Sequence, residues 1–276
     1  SWAAGNDMNA ASRGGGSNGT ESSAIAVDGN PVTGKTELYD GTSWTEVNNL
    51  NQSRRAAAVN AANSTAAIAF GGEQSPTAWY ALTESWNGTN WTEVNDLNQG
   101  RVAIVRSGHS TSGLAIGGNA NPPSLATQKR TELWNGTNWT EVNDLNTDKS
   151  ATCSGSGADS TQAIAFGDTN FGTETETWNG TNWTEVNDYN SGRIEGGAGG
   201  KSASAVLMFG GFGPPFNALA NTEEWNGTNW TETTDLPAAV GYQYSGGTGV
   251  SGAVSAGGYT GPATIATTNE WVGAGA

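Results

Sequence analysis

Positive charge is scarce in this chain. Lys and Arg number 11 against 26 Asp and Glu, giving a formal net charge of −15. A surface this negative repels phosphate backbones and anionic headgroups, so neither nucleic acid nor a membrane surface is an expected partner. No run of 18 apolar residues occurs, so no membrane insertion is expected. Cysteine and histidine each occur once, as Cys153 and His109. One Cys cannot form an internal disulfide framework, and the pair cannot supply the three N/S ligands of an ordinary zinc site. Cys153 reads as an inert buried thiol, and His109, in a Ser/Gly-rich turn, is poor support for a catalytic triad. No cofactor is expected. Good helix formers are thin, and Gly, Asn, Thr and Ser take their place, which argues against a helical protein. The N-terminus, Ser1-Trp2-Ala3-Ala4-Gly5, shows no basic region and no apolar core of a signal peptide. The missing initiator Met suggests a trimmed chain.

What is abundant is Trp, with 12 residues, and Gly, with 41. Both follow an internal repeat, the feature to seek first in such a chain. Trp86-Asn87-Gly88-Thr89-Asn90-Trp91-Thr92-Glu93 recurs at Trp134, Trp178 and Trp225, and Tyr39 to Glu46 is a variant. The second aromatic falls at Trp2, Trp44, Trp91, Trp139, Trp183 and Trp230, at spacings of 42, 47, 48, 44 and 47. The first falls at Tyr39, Trp86, Trp134, Trp178, Trp225 and Trp271. Trp271 opens a motif that the C-terminus leaves unfinished, and Trp2 closes one that the N-terminus did not open. From Trp230 through Ala276 to Trp2 is 48 steps, inside the range of the others. Such ends suit a ring.

Each unit is strand-like. In the second, a small apolar run over Arg55–Asn60 precedes Ala66–Phe70, which ends at Gly71-Gly72. Thr83–Trp86 then meets Trp91–Val94 across Asn87-Gly88, a strong hairpin signal in which a two-residue type I′ turn needs φ > 0 at both central positions. That register pairs Trp86 with Thr89 and makes Trp86 and Trp91 diagonal neighbours on one face. The recurring Trp pair is expected to pack adjacent units together, with the small-residue strand innermost. Four short strands per unit, six times over, describe an all-β, six-bladed β-propeller of four-stranded antiparallel blades. The blades are expected at about 12–48, 52–95, 99–143, 147–187, 191–234 and 238–276 plus 1–6, in one domain, with the N-terminal strand completing the last blade.

A Gly doublet after a β run, an acid two residues before an aromatic, a Trp a few residues on and a cation before the next strand resemble the kelch repeat. The doublets are Gly71-Gly72, Gly117-Gly118, Gly210-Gly211 and Gly257-Gly258. The acids are Glu37, Glu84, Glu132, Glu176 and Glu223, and the cations are Arg54, Arg101, Lys149 and Arg193. The sequence departs from this pattern at Asp28-Gly29, Gly167-Asp168, Val240 and Asn269. The near-identity of the units is similar to kelch-like repeats in structural proteins of marine bacteriophages, which would imply a virion or extracellular setting.

The acids Glu93, Glu141, Glu185 and Glu232 recur from blade to blade. They read as structural, because catalytic pairs need two differently tuned environments. Asp96, Asp144, Asp188 and Asp235 lack the spaced acids of a calcium loop and read as turn residues. The Asn-Gly-Thr triplets match the glycosylation pattern, but turn chemistry already accounts for them. Function is sought where the units differ. The loops after the Gly doublet hold Trp79, Tyr80, Phe171, Phe212, Phe216 and Tyr259, candidate anchors of a recognition rim. Arg106, Glu195, Tyr242 and Tyr244 break the small-residue pattern of the inner strands and are candidates for the channel mouth. The expectation is a non-enzymatic recognition or structural module, monomeric as an isolated domain, that binds a protein or glycan at the rim. The alternatives are a purely structural propeller without ligand and a hydrolase or lyase that uses the channel residues.

Overall fold

The structure is a computed structural model that describes residues 1–27, 29–75, 78–120, 128–150, 154–167 and 170–273. Every regular element among them is a strand. Six four-stranded antiparallel sheets form the blades of a β-propeller. In the second blade the strands run, from axis to periphery, Ala58–Asn63, Ala66–Phe70, Thr83–Trp86 and Trp91–Val94. The other inner strands are Gly16–Thr20, Val105–His109, Ser154–Asp159, Gly197–Ser202 and Tyr244–Gly249. Each neighbours the next, and the last neighbours the first, so they enclose a central lumen. Trp2–Ala4 completes the sixth blade by pairing with Thr268–Val272, Trp2 opposite Trp271. Pairing the two chain ends leaves the last sheet with an occupied edge and fixes the ring.

Among the described residues there is no central core. Instead, they form six hydrophobic clusters, one at each blade interface. At the first, Trp86 and Trp91 of blade 2 lie against Ile25, Val27 and Leu50 on the blade 1 side. The indole N–H of each second Trp crosses to the preceding blade and donates to the Thr that opens its third strand. Trp91 reaches Thr36, Trp139 reaches Thr83, Trp183 reaches Thr131, Trp230 reaches Thr175 and Trp44 reaches Thr268, at 2.9–3.2 Å. Trp2 closes the circle on Thr222 at 3.2 Å. All six threonines are fully buried. A buried indole N–H needs an acceptor, which explains why Thr opens the third strand in all six units.

The acids and cations of the repeat meet inside blades 2 to 5. Arg54 pairs with Glu84 at 2.5 Å, Arg101 with Glu132 at 2.6 Å and Arg193 with Glu223, all buried; Lys149 lies 3.8 Å from Glu176. Burial lowers the Arg101 pKa from its ordinary value, and Glu132 opposes that shift. The outer-strand acids are elsewhere: Glu93, Glu141, Glu185 and Glu232 are exposed, and none pairs with these cations. Asp96, Asp188 and Asp235 accept the backbone N–H of Thr83, Thr175 and Thr222, so they act as turn ties.

The hairpin differs from its expected register. Trp86 lies directly opposite Trp91, with Asn87-Gly88-Thr89-Asn90 as a four-residue loop. Only Gly88, at φ 92°, has positive φ there. The reason is the Asn87 side chain: its Oδ1 accepts the N–H of Thr89 and of Asn90 at 3.0 and 2.9 Å. An Asx turn replaces the type I′ turn, and the two indoles meet across the pair in a tilted arrangement, ring centroids 5.4 Å apart and planes inclined by 42°. The Gly doublet docks one blade on the next. The N–H of Gly72 donates to Arg101 O, and a Cβ on Gly71 would stand 2.7 Å from that same carbonyl oxygen.

Candidate functional site

The segment entering each inner strand makes the same unusual backbone turn. Gly14, Ala56, Ala103, Glu195 and Tyr242 occupy equivalent positions in blades 1, 2, 3, 5 and 6, at φ 65°, 53°, 65°, 56° and 56°. Non-glycine residues avoid this left-handed region, at a cost of order 1–3 kcal/mol each. A belt of hydrogen bonds between blades holds the conformation. Ala56 N donates to Gly14 O, Gly14 N to Tyr242 O and Tyr242 N to Glu195 O, at 2.9–3.0 Å. These residues surround the mouth of the lumen, one per blade.

The loops after the Gly doublets emerge on the same face. Asn30 bridges to Arg13, Glu73 to Arg55, Phe212 to Ile194 and Tyr259 to Gly241, each partner being the residue just before the mouth position. Ala120 and Asn119 pair likewise with Arg101 and Val102. The mouth opens into a cavity of about 580 Å³. Of the ten residues proposed from the sequence, five border it: Arg106, Glu195, Tyr242, Phe216 and Tyr259.

The other five lie elsewhere. Tyr244 is buried between blades 6 and 1, where its hydroxyl is 2.7 Å from Ser12 Oγ; it borders a separate cavity of about 240 Å³ and does not reach the mouth. Phe212 is fully buried, so it is no exposed anchor, but it supports one. Its ring is stacked on Phe216 at 4.6 Å and 9° and is tilted against Tyr242 at 5.2 Å. It fits because residue 241 is glycine: a Cβ there would lie 2.2 Å from the Phe212 ring. Trp79 pairs with Glu73 along the loop, and Tyr80 donates to Gln74 at 3.0 Å. Trp79, Tyr80 and Phe171 are outside the cavity lining. Cys153 lies outside the described residues, as do parts of the loops at 119–130 and 168–174.

The cavity wall has two unlike sides. Blades 1 to 3 supply Arg13, Arg55 and Arg106; blades 5 and 6 supply Phe216, Tyr242 and Tyr259, with Glu195 among them. Arg55 is neutralised by Glu73 at 2.9 Å. Arg13 lies 3.9 Å over the Tyr259 ring. Arg106 crosses the lumen to the opposite blade, where Nη2 donates to Ser245 O at 3.1 Å. Burial lowers its pKa to about 10, and burial pushes Glu195 up to about 8. Tyr242 rises to about 12 through burial first, then the Glu195 charge. Phe216 is 48% exposed and held at φ 112°. An exposed ring on a strained backbone, fixed by stacking, is a preformed contact surface.

Sequence reasoning missed Arg13 and Arg55. The available signal was one of register: they stand where other blades have Val102, Ser150, Ile194 and Gly241. It also missed Lys201, whose Nζ donates across the lumen to Ala61 O at 2.9 Å; its signal was a lysine within an inner strand of small residues.

Among the described residues no cluster of three His, Cys, Asp or Glu could hold a metal ion. No protein-family model matches the chain, and no curated protein matches it. In three dimensions it is similar to the solved structure of YjhT, with a TM-score of 0.78 over 96% of this chain and 95% of that one, at 11% identity. At that identity the likeness is one of fold, a six-bladed β-propeller.

Proposed function

We propose that this propeller is a non-enzymatic recognition module that takes its ligand, a glycan or a protein side chain, at the mouth of the lumen. The observation that carries this reading is the contrast between backbone and side chain at the mouth. The five described positions share one left-handed conformation, yet they bear no side chain, two methyls, a carboxyl and a phenol. A scaffold needs only the glycine. Side chains that cost backbone strain without filling the core suit contact with a ligand. The kelch-like pattern of doublet, acid and cation accords with this reading, and a place in a phage virion is the setting its repeat texture favours.

The test is a glycan array probed with wild-type protein and with two loop variants. Phe216→Ser is expected to weaken every specific signal at least tenfold, while Trp79→Ser/Tyr80→Ser leaves them within twofold. Loss confined to the second variant would move the site to the outer rim.

One observation favours an enzymatic reading: a carboxyl raised to about 8 in a cleft has the character of a general acid. Turnover of a glycoside panel that Glu195→Gln abolishes would establish it.

A further inference from the structure

The lumen holds an electrostatic anomaly. The chain carries a net charge of −15, yet its one large described cavity is lined by three arginines and two acids. One arginine, Arg55, is cancelled by Glu73. Arg106 has no carboxylate within ion-pair distance among the described residues, and its one described polar contact outside its own strand pairing is neutral Ser245. Below it, Lys201 also ends on a main-chain carbonyl, Ala61 O, on the opposite blade. Lys201 lies three residues further along its strand than Ala198, the counterpart of Arg106, which places it roughly 10 Å deeper. Two cations crossing a lumen without ion pairs leave a positive potential that low-dielectric walls focus toward the mouth. At the mouth, blades 5 and 6 add an aromatic wall to the same cavity, and its most exposed member, Phe216, offers an open ring.

We propose that the mouth binds a small organic carboxylate with a flat apolar face, its anionic group directed to Arg106 and its ring set against Phe216. This inference rests on the reading of the mouth as the ligand site and adds the ligand's chemical class. A guanidinium receives a carboxylate through paired N–H donors. A ring stacks on an aromatic that is already immobilised, so little side-chain freedom is lost on binding.

Binding has a defined pH dependence. The charged or titratable groups at this end of the lumen are Arg13, Arg55 with Glu73, Arg106, Glu195, Tyr242 and Tyr259, with Lys201 and Glu21 deeper. Glu195 gains its negative charge near pH 8. Lys201, lowered to about 8 by burial and by Arg106 against an opposing pull from Glu21, loses its positive charge there. Both changes oppose an anion, so affinity falls as pH passes 8.

Isothermal titration with benzoate and its neutral isostere benzamide tests the proposal. At pH 6.5 the wild-type protein is expected to bind benzoate at least tenfold more tightly than benzamide. Arg106→Gln should cost benzoate at least tenfold and leave benzamide within twofold, and Arg106→Lys should retain most benzoate binding. Raising the pH to 9.5 should weaken benzoate and not benzamide. Equal affinity of the wild type for both probes overturns the proposal, as does benzoate binding unchanged in Arg106→Gln. Should Arg106→Gln fail to fold, the wild-type comparison of the two probes decides alone. Equal binding of both probes, lost in Phe216→Ser, would leave the mouth as the ligand site and remove the anion. Binding of neither probe alongside Phe216-dependent glycan binding would do the same.

Discussion

The periphery and the mouth of this propeller obey opposite rules. At the periphery, backbone and side chains repeat together: six second-position tryptophans donate to six buried threonines, and the circle closes between Trp2 and Thr222. At the mouth the backbone repeats while the side chains do not. Repetition at the periphery follows from mechanics, since every blade must cover its neighbour in the same way. Divergence at the mouth costs backbone strain and yields an asymmetric wall, cationic on one side and aromatic on the other.

Predictions from this contrast range from large losses at the periphery to small gains at the mouth. Trp139→Ala removes a buried indole between blades 2 and 3 and should cost about 3–5 kcal/mol by urea unfolding. A loss below about 1 kcal/mol would mean that the interface does not depend on its indole. Thr83→Val keeps the volume and deletes only the acceptor of the Trp139 N–H. An orphaned buried donor costs about 1–3 kcal/mol, so a wild-type urea midpoint would show that water or another group takes its place. Glu195→Gly should do the reverse, stabilising the fold by about 1–2 kcal/mol because glycine accepts φ 56° without a Cβ penalty. A lower melting temperature in that variant would contradict the assignment of strain.

The smallest effect is one of pH. Burial holds the folded-state pKa of Glu195 near 8, above its ordinary value of 4.5. Between these values the unfolded chain releases the proton and the folded chain keeps it, so this group makes stability fall as pH rises through the window. Lys201 acts in the opposite sense between about 8 and its ordinary 10.5, where the folded state holds fewer protons and stability rises with pH. Glu195→Gln should flatten the first limb and leave the second. An unchanged first limb would place the carboxyl in a more solvated setting.

The ring was readable from the sequence because its cause is repetition. Tryptophan spacing, glycine doublets and matching chain ends are all local patterns, and the partners they imply are copies of themselves. The hairpin register was misjudged because Asn-Gly suits two turns, and the Asn87 side chain decides between them through contacts that composition does not display. The mouth was half readable. Glu195 and Tyr242 stood out as large residues in a small-residue strand, but no local signal says that Gly14, Ala56 and Ala103 share their conformation. Phe212 looked like a free aromatic because its burial depends on Gly241, 29 residues away in the next blade. Tyr244 is two residues beyond Tyr242 and faces the adjoining blade interface instead, through its contact with Ser12.

The most direct test combines stability and binding in one preparation. Glu195→Gly/Tyr242→Gly restores glycine at both strained positions and strips the mouth of its carboxyl and phenol. Its thermal melting and its binding to one glycan library can be measured beside the wild type. The account predicts a variant at least as stable as the wild type that has lost the wild type's hits. A variant that keeps the same hits, or that unfolds at lower temperature while binding unchanged, would contradict it.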